Sequence, residues 1–392
     1  MSAQALSSGS AARLTAVIGL ALALGYAVTL TGSWLGGDWL IDAHGLPVAN
    51  DFVNVWAAGD LALHGHAPDA YNWTLHKAAE VRAVGHDFNN YYGWHYPPTF
   101  LFAAAAIALL PYTTAALAWL AATLCAYVVV ASKIVGDRVG IFVALGFPAV
   151  LWNATAGQNG FLTAALVGGT LSLMERRPAL SGICLGLLTY KPHFGLLFPI
   201  ALIAGARWRV IAVGSIVTAA MVALSFIVFG RASWQGFVDW LPITSSVVMG
   251  EGAAGWNRLQ SLFGLLRSLG GGENLAWSAQ AALALALAGV IAWLWRNGAE
   301  FEIKAAALSC AALLATPYIY MYDLVVLAIP VAFLLRLSLA RGFLTHEIAG
   351  IGIACLLILI FPFVKAPVGF AAVLLVAALI AHQLFAPQNA RA

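Results

Sequence analysis

Asp51 and Lys191 are the two charged residues of this 392-residue sequence that are hardest to read as ordinary solvent-facing side chains. Asp51 stands in "LPVANDFVNVWAAG", shortly after a long apolar run, and opens a stretch rich in acids, histidines and aromatics. Seven of the sixteen acids fall between positions 38 and 87, in a chain that is 62% hydrophobic and only 9% charged. Its place directly before a helical pattern makes Asp51 an N-cap candidate. The same place aims a carboxylate at the end of the first apolar run, where a membrane cavity would open and a carboxylate could take a proton. Lys191 stands in "LTYKPHFG", the tip of an apolar hairpin whose arms are too short to carry it far from a bilayer. An ammonium at that depth either snorkels to the headgroups or meets an anion.

Two further turns, and the Lys191 turn itself, supply polar partners. "WNATAGQNGF" offers Asn153, Gln158 and Asn159, and His193 lies two positions after Lys191. "TPYIYMYDLVV" brings Tyr318, Tyr320, Tyr322 and Asp323 to the end of a span. An aromatic belt accounts for the tyrosines, whereas Asp323 is a helix cap or a ligand for a substrate hydroxyl. His95 and Tyr96 close the acid-rich stretch. "GWNRLQSLFGLLRSLGGG" reads as an amphipathic helix with a glycine stop. On such a helix Arg258 and Arg267 lie about 90° apart, so either faces the bilayer surface or a phosphate.

These residues have to be positioned by membrane helices. Apolar runs recur along the chain, so it is expected to be an all-α polytopic membrane protein and a single domain over 1–392. The breaks predict twelve spans, near 14–35, 113–133, 139–152, 160–174, 179–190, 193–206, 210–229, 275–295, 304–319, 323–340, 347–364 and 367–385. Several are shorter than a straight crossing, which a funnel-shaped cavity or a thinned bilayer tolerates. Thr99–Leu110, between prolines, is expected to be an interfacial or re-entrant helix. With cytoplasmic termini, twelve of the nineteen basic residues, Arg391 among them, fall on the inner side, mostly in short loops. Two large segments, 36–98 and 230–274, remain outside. Phe52 to His64 presents Phe52, Val55, Trp56, Gly59 and Leu63 on one face, suited to lying on the bilayer surface. The four cysteines sit singly in apolar runs and show no metal or redox spacing. No phosphate loop, nucleophile elbow or H-E-x-x-H is present, the histidines of the first outer segment form no familiar metal pattern, and no cofactor or nucleic-acid partner is expected.

The sequence resembles the family 87 glycosyltransferases of the GT-C superfamily, typified by bacterial polyprenyl-phosphate-mannose-dependent α-1,2-mannosyltransferases. The resemblance rests on "DFVNVWAAGDLALHGHAPDAY", "HYPPTFLFAAAAIALLPY", "FPAVLWNATAGQNGFLTAAL" and "RRPALSGICLGLLTYKPHFGLLFPIALIAGARWR", in that order. After residue 210 it narrows to "WNRLQSLFGLLR" and "ATPYIYMYDL". It implies a GT-C fold of about twelve transmembrane helices, with an essential acid in the first outer loop that falls on Asp51. It also implies a lipid-phosphate-linked sugar as donor and a metal-independent, inverting reaction. Mannosyltransferases of the family tend to carry a histidine in the late "P…Y" turn, where this sequence has Asp323, so the sugar and acceptor stay open.

A sugar phosphodiester already carries a good leaving group, so transfer requires one base for the acceptor hydroxyl and cations for the departing phosphate. Asp51 is expected to be the base, and Lys191, Arg258 and Arg267 the phosphate-binding cations. His95, Tyr96, Gln158, Asn159, His193, Tyr322 and Asp323 are expected to shape the sugar and acceptor subsites. The partners are then a polyprenyl-phosphate-linked hexose, a lipid or glycan acceptor, and the bilayer of a bacterial inner membrane with the site on its periplasmic face. The rival readings are a transporter or flippase of a lipid-linked sugar, and a non-catalytic envelope scaffold. A transporter would carry ionisable residues within its spans and an internal repeat, and the sequence displays neither.

Overall fold

The computed structural model describes residues 8–136, 138–253 and 255–386, so both chain ends and Arg391 lie outside the described residues. Helices dominate, and β pairing among the described residues is confined to isolated bridges joining Trp39 to Ile41 and Ile41 to Pro47. The chain opens with α1 (Ser8–Leu35), then α2 (Phe52–Leu63) and α3 (Trp73–Val84) of the first polar segment. Next come α4 (Leu101–Ala108), α5 (Tyr112–Val135), α6 (Val139–Gly146), α7 (Ala149–Ala156) and α8 (Gly160–Leu173). The middle of the chain forms α9 (Pro178–Leu187), α10 (Phe198–Ala204), the long α11 (Trp208–Thr244) and the short α12 (Leu262–Ser268). It ends with α13 (Glu273–Arg296), α14 (Phe301–Ala315), α15 (Ala328–Arg341), α16 (Glu347–Leu359) and α17 (Val368–Phe385).

Among the described residues six helical segments are long and apolar enough to cross a membrane: Ala12–Leu35, Tyr112–Val135, Trp208–Gly250, Glu273–Arg296, Met321–Arg341 and Val368–Phe385. The pair α6 and α7, bent by 56° at Phe147-Pro148, adds a seventh if it forms one span. Of the other expected spans, Gly160–Leu173, Pro178–Tyr190, Pro192–Ala204 and Glu347–Leu359 are apolar helices of 10–17 residues. Small residues let these helices approach closely, as membrane packing favours. Gly19 of α1 lies against the backbone of Phe142 and Gly146 in α6. Gly182 and Gly186 of α9 lie against Val213, Gly214 and Val217 of α11. The segment ending in α15 runs through the middle and is buried along almost its whole length.

Three local expectations are corrected. The α2 helix does not lie free on a bilayer surface: its face is covered by protein, with Gly59 pressed on the backbone of Ala104 in α4, and only Leu63 at its end is exposed. Residues 231–244 are not loop, because α11 continues through a single break at Gly230 (φ 77°) and packs Gly236 on Tyr71 of the first polar segment. The predicted amphipathic helix holding both arginines is split. Trp256–Arg258 is one 3-10 turn, and Ser261 then caps α12 by accepting from the Gly264 amide at 3.1 Å, so Arg258 and Arg267 belong to different elements.

The first polar segment is a folded unit with its own buried titratable groups. Asn72 starts α3 by accepting from the Thr74 and Leu75 amides, and Gly85 (φ 80°) ends it. On its inner face Glu80 accepts from the Tyr92 amide at 3.0 Å and lies 3.6 Å from His76 and 3.8 Å from Lys77. Burial pushes the Glu80 carboxyl up to about 8 against the opposing pull of Lys77. Burial also pushes His76 down to about 3, so its ring is neutral. The folded chain therefore keeps a proton on Glu80 that the unfolded chain releases near the ordinary 4.5, and stability is lost as pH rises between those values. In thermal unfolding, the advantage of Glu80→Gln over wild type is expected to grow from pH about 4.5 to about 8 and then level off. A difference that does not change with pH would mean that Glu80 is ionised throughout.

Candidate active site

Asp51 has helical dihedrals (φ −57°, ψ −23°), and its side chain makes no capping bond. That task falls to its neighbour: Asn50 Oδ1 accepts from the Phe52 amide at 3.0 Å and from the Tyr112 hydroxyl at 3.3 Å. The Asp51 carboxylate is thereby left to turn inward, where its Oδ2 accepts from Gln158 Nε2 at 3.0 Å. Gly157 makes this meeting possible. It adopts φ 70°, and a Cβ there would strike Phe52 Cβ at 2.8 Å and Asn50 Oδ1 at 2.9 Å.

Gln158 passes the connection onward. Its Oε1 accepts from the Tyr96 hydroxyl at 3.3 Å, and Asn159 Nδ2 donates to that hydroxyl at 2.7 Å. Asn159 also accepts from Tyr190 through its backbone carbonyl at 3.3 Å, tying the network to the turn that carries Lys191. Asp51, Gln158, Tyr96 and Asn159 thus form one hydrogen-bonded chain across three separate turns.

Lys191 is 5% exposed and Asp323 1%, and their charges meet at 2.7 Å. The second Asp323 oxygen accepts from the Tyr320 amide at 3.1 Å. Asp323 lies outside the cavity lining: of the two readings the sequence left open, it takes the cap, through the Tyr320 amide, and gives its other oxygen to Lys191. Tyr322 shares this turn, and its backbone carbonyl abuts Gly160, where any Cβ would clash.

These groups surround a cavity of about 1180 Å³. Its wall includes Asp51, His95, Tyr96, Gln158, Lys191, His193, Arg258 and Tyr322. Tyr318 and Tyr320, read from the sequence as belt residues, line it too. Asp51 is the one acid among the described lining residues, facing Lys191, Arg258 and Lys365. Burial raises the Asp51 pKa above its ordinary value, while Gln158 and the charges of Arg258 and Lys191 pull it back. His95 Nδ1 accepts from Thr244 at 2.9 Å and from Trp240 Nε1 at 3.2 Å, and burial pushes its pKa down to about 4. The ring is therefore neutral and keeps its proton on Nε2. His193 lines the wall with its Nε2 buried and unpartnered among the described residues.

Arg258 and Lys365 have no acidic partner among the described residues. Arg267 is placed differently. Its guanidinium donates to the carbonyls of Gly250 at 2.8 Å and Gly271 at 3.0 Å and stacks over Trp256, outside the lining.

Residues 94–317, more than half of the chain, match the family model described as Glycosyltransferase family 87. The chain belongs to glycosyltransferase family 87. No curated protein and no solved structure matches it. The matched stretch of this membrane glycosyltransferase contains His95, Tyr96, Gln158, Asn159, Lys191, His193 and Arg258, while Asp51 precedes it and Asp323 follows it. The geometry adds residues of this glycosyltransferase that the sequence reading passed over. Lys365 sits in a short turn with no motif around it. Gln260, 1% exposed, donates to the carbonyls of Asn257 and Arg258 and accepts from the Gly369 amide at 2.8 Å. It thereby clamps the Arg258 turn to the start of α17, close in sequence to Lys365. A lone glutamine in an apolar run carries no signal that could have revealed this.

Breaking a buried pair strands the surviving charge. Lys191→Met and Asp323→Leu are each expected to destabilise by about 3–5 kcal/mol, and the double replacement to recover most of the loss. Unfolding temperatures of the three variants in one detergent check this. Additive losses in the double variant would mean that the two side chains are not coupled.

Proposed function

We propose that this family member transfers a hexose from a polyprenyl-phosphate-linked donor to a hydroxyl of a lipid or glycan acceptor, at the outer face of a bacterial inner membrane. The segments 36–98 and 230–274 then lie on the outer side, with the chain termini on the cytoplasmic side. The observation that carries the reading is the charge arrangement of the cavity. One acid faces three cations, and one of those cations is already neutralised by Asp323. Arg258 and Lys365 therefore supply the uncompensated positive charge. A sugar phosphodiester brings one negative charge, and its phosphate leaves as a monoester with up to two. Two free cations suit that increase, because they bind the leaving phosphate more tightly than the intact donor.

In this reading Asp51 takes the proton of the acceptor hydroxyl as its oxygen forms a bond to the anomeric carbon. The bond from that carbon to the phosphate oxygen breaks, its electron pair leaves with the phosphate, and attack from the opposite face inverts the anomeric centre. Gln158 and Tyr96 hold the carboxylate in one orientation. Lys191 offers its remaining N–H groups to the phosphate, while Asp323 and Gln260 act as positioning residues for Lys191 and Arg258. His95 and His193 present neutral donors to sugar hydroxyls, Tyr322 shapes the same wall, and Asn159 stands behind it holding the Tyr96 hydroxyl. Arg267 serves the loop that carries Arg258 rather than the phosphate itself.

Purified protein in nanodiscs, given labelled polyprenyl-phosphate mannose and a bacterial lipid extract, is expected to consume the donor. Asp51→Asn should lower that rate by about 10²–10⁴-fold. The acidic limb of the pH–rate profile should lie above the ordinary aspartate value of 3.8, since the base works only when ionised and burial holds its pKa up. At neutral pH Asp51→Asn should unfold no lower than wild type, because a raised carboxyl pKa makes the ionised form a cost to the folded state. Undiminished turnover by Asp51→Asn would remove the base, and an intact donor after long incubation would favour transport.

A further inference from the structure

Asn54 lies on α2 one turn beyond Asp51 and lines the same cavity. It is 5% exposed, and its Oδ1 has no hydrogen-bond partner among the described residues. A buried carboxamide oxygen left without a donor weakens the fold, and a leucine or alanine would remove the defect. The flanking Val53 and Val55 show what α2 otherwise places in its protein contacts. Asn50 is committed to the Phe52 amide and Gln158 to Asp51 and Tyr96. Asn153 and Asn159, each with one unpartnered amide atom, stand outside the cavity lining, so Asn54 is the lining carboxamide whose buried oxygen lacks a donor among the described residues. Oδ1 is sealed from the cavity as it stands, and no other bond among the described residues holds the amide, so a bound molecule supplies the missing partner once the carboxamide turns about its terminal bond.

The chemistry of the group narrows what it binds. A carboxamide accepts through Oδ1 and donates through Nδ2, which suits a neutral hydroxyl, both donor and acceptor. A phosphate offers only acceptor oxygens and would repel Oδ1. Residues three apart on a helix share a face, with about 5–6 Å between their Cβ atoms. A molecule whose reacting hydroxyl rests on Asp51 therefore meets Asn54 with the next group along.

We infer that Asn54 binds the acceptor hydroxyl adjacent to the one that reacts, so that the acceptor is recognised by a pair of neighbouring hydroxyls. Asn54 moves no proton. It fixes which hydroxyl of a ring faces the carboxylate and so selects the linkage position. This rests on Asp51 being the base of the proposed transferase.

The test uses full-length purified protein with methyl α-mannopyranoside and trans-1,2-cyclohexanediol as vicinal-diol probes and cyclohexanol as the control. Ligand-induced shifts in unfolding temperature report binding. Wild type is expected to bind both diols better than cyclohexanol. Asn54→Leu and Asn54→Ala are expected to unfold at or above the wild-type temperature without ligand, and to lose about 10- to 100-fold in diol affinity with the cyclohexanol response unchanged. The inference is overturned if both variants unfold well below wild type, if diol affinity survives in either, or if wild type does not discriminate diols from cyclohexanol. Donor consumption by wild type and Asp51→Asn is measured in parallel. Diol binding that does not depend on Asn54, with an intact Asp51 dependence, sinks the Asn54 assignment alone, whereas Asn54-dependent diol binding without Asp51-dependent turnover sinks the transferase reading.

Discussion

The contact between Lys191 and Asp323 constrains everything around it. Two opposite charges at 2.7 Å, almost wholly removed from water, are held only because each satisfies the other. Their desolvation costs several kcal/mol per ion, so neither turn can drift without exposing the chain to that cost. The pair thereby fixes the turn between α9 and α10 against the turn that follows α14. The Tyr320 amide, donating to the second Asp323 oxygen, extends the constraint to the tyrosines lining the cavity. An aspartate at position 323 sets the local electrostatics and not only the shape. It cancels a cation that would otherwise face the cavity, and it leaves the exposed charge to Arg258 and Lys365.

Close backbone approach is the second constraint. Gly157 and Gly160 bracket Gln158 and Asn159, and each lies where a Cβ would collide with the neighbouring turn. The amides reach Asp51 and Tyr96 because the "GQNG" backbone can press against Asn50, Phe52 and Tyr322. Gly59 does the same for α2, seating it on α4. The carboxylate is thus placed by three glycines and an asparagine cap, with one oxygen held by Gln158 and neither spent on capping α2.

Much of this was legible in the sequence, and the exceptions have physical causes. Apolar runs bounded by prolines, glycines and charges gave the helix positions closely, since backbone satisfaction in lipid leaves few alternatives. Length alone separates the six or seven long spans from the shorter apolar helices, so hydropathy reads both kinds as spans. The continuation of α11 beyond Gly230 was hidden because that glycine, Arg231 and Asp239 end the apolar run, so the expected span stops at 229. Asp51 looked like a cap because its position is a cap position, and only the preceding asparagine decides which side chain takes the amide. The partner of Lys191 was implied by its depth, but its identity was not, because 132 residues separate the two charges. Asn54 and Gln260 lie inside stretches that carry the resemblance, but nothing there singles them out, and Lys365 carries no motif at all. Their meaning comes from what surrounds them in space.

The electrostatics of Asp51 link these features. Burial raises its pKa, whereas Gln158, Arg258 and Lys191 lower it, so the carboxylate is poised between desolvation and cationic attraction. An anionic donor phosphate resting on Arg258 and Lys365 would cancel part of that attraction and add a like charge nearby. Both changes raise the proton affinity of Asp51. The carboxylate would then be a weaker base in the empty cavity, where deprotonating a stray molecule serves nothing, and a stronger one once the donor is seated. Because Asp323 neutralises Lys191 beforehand, this change in field falls on the two cations that have no other partner. The buried pair thus does more than hold two turns together, since it determines how strongly the arrival of one negative charge would be felt at Asp51, the proposed base.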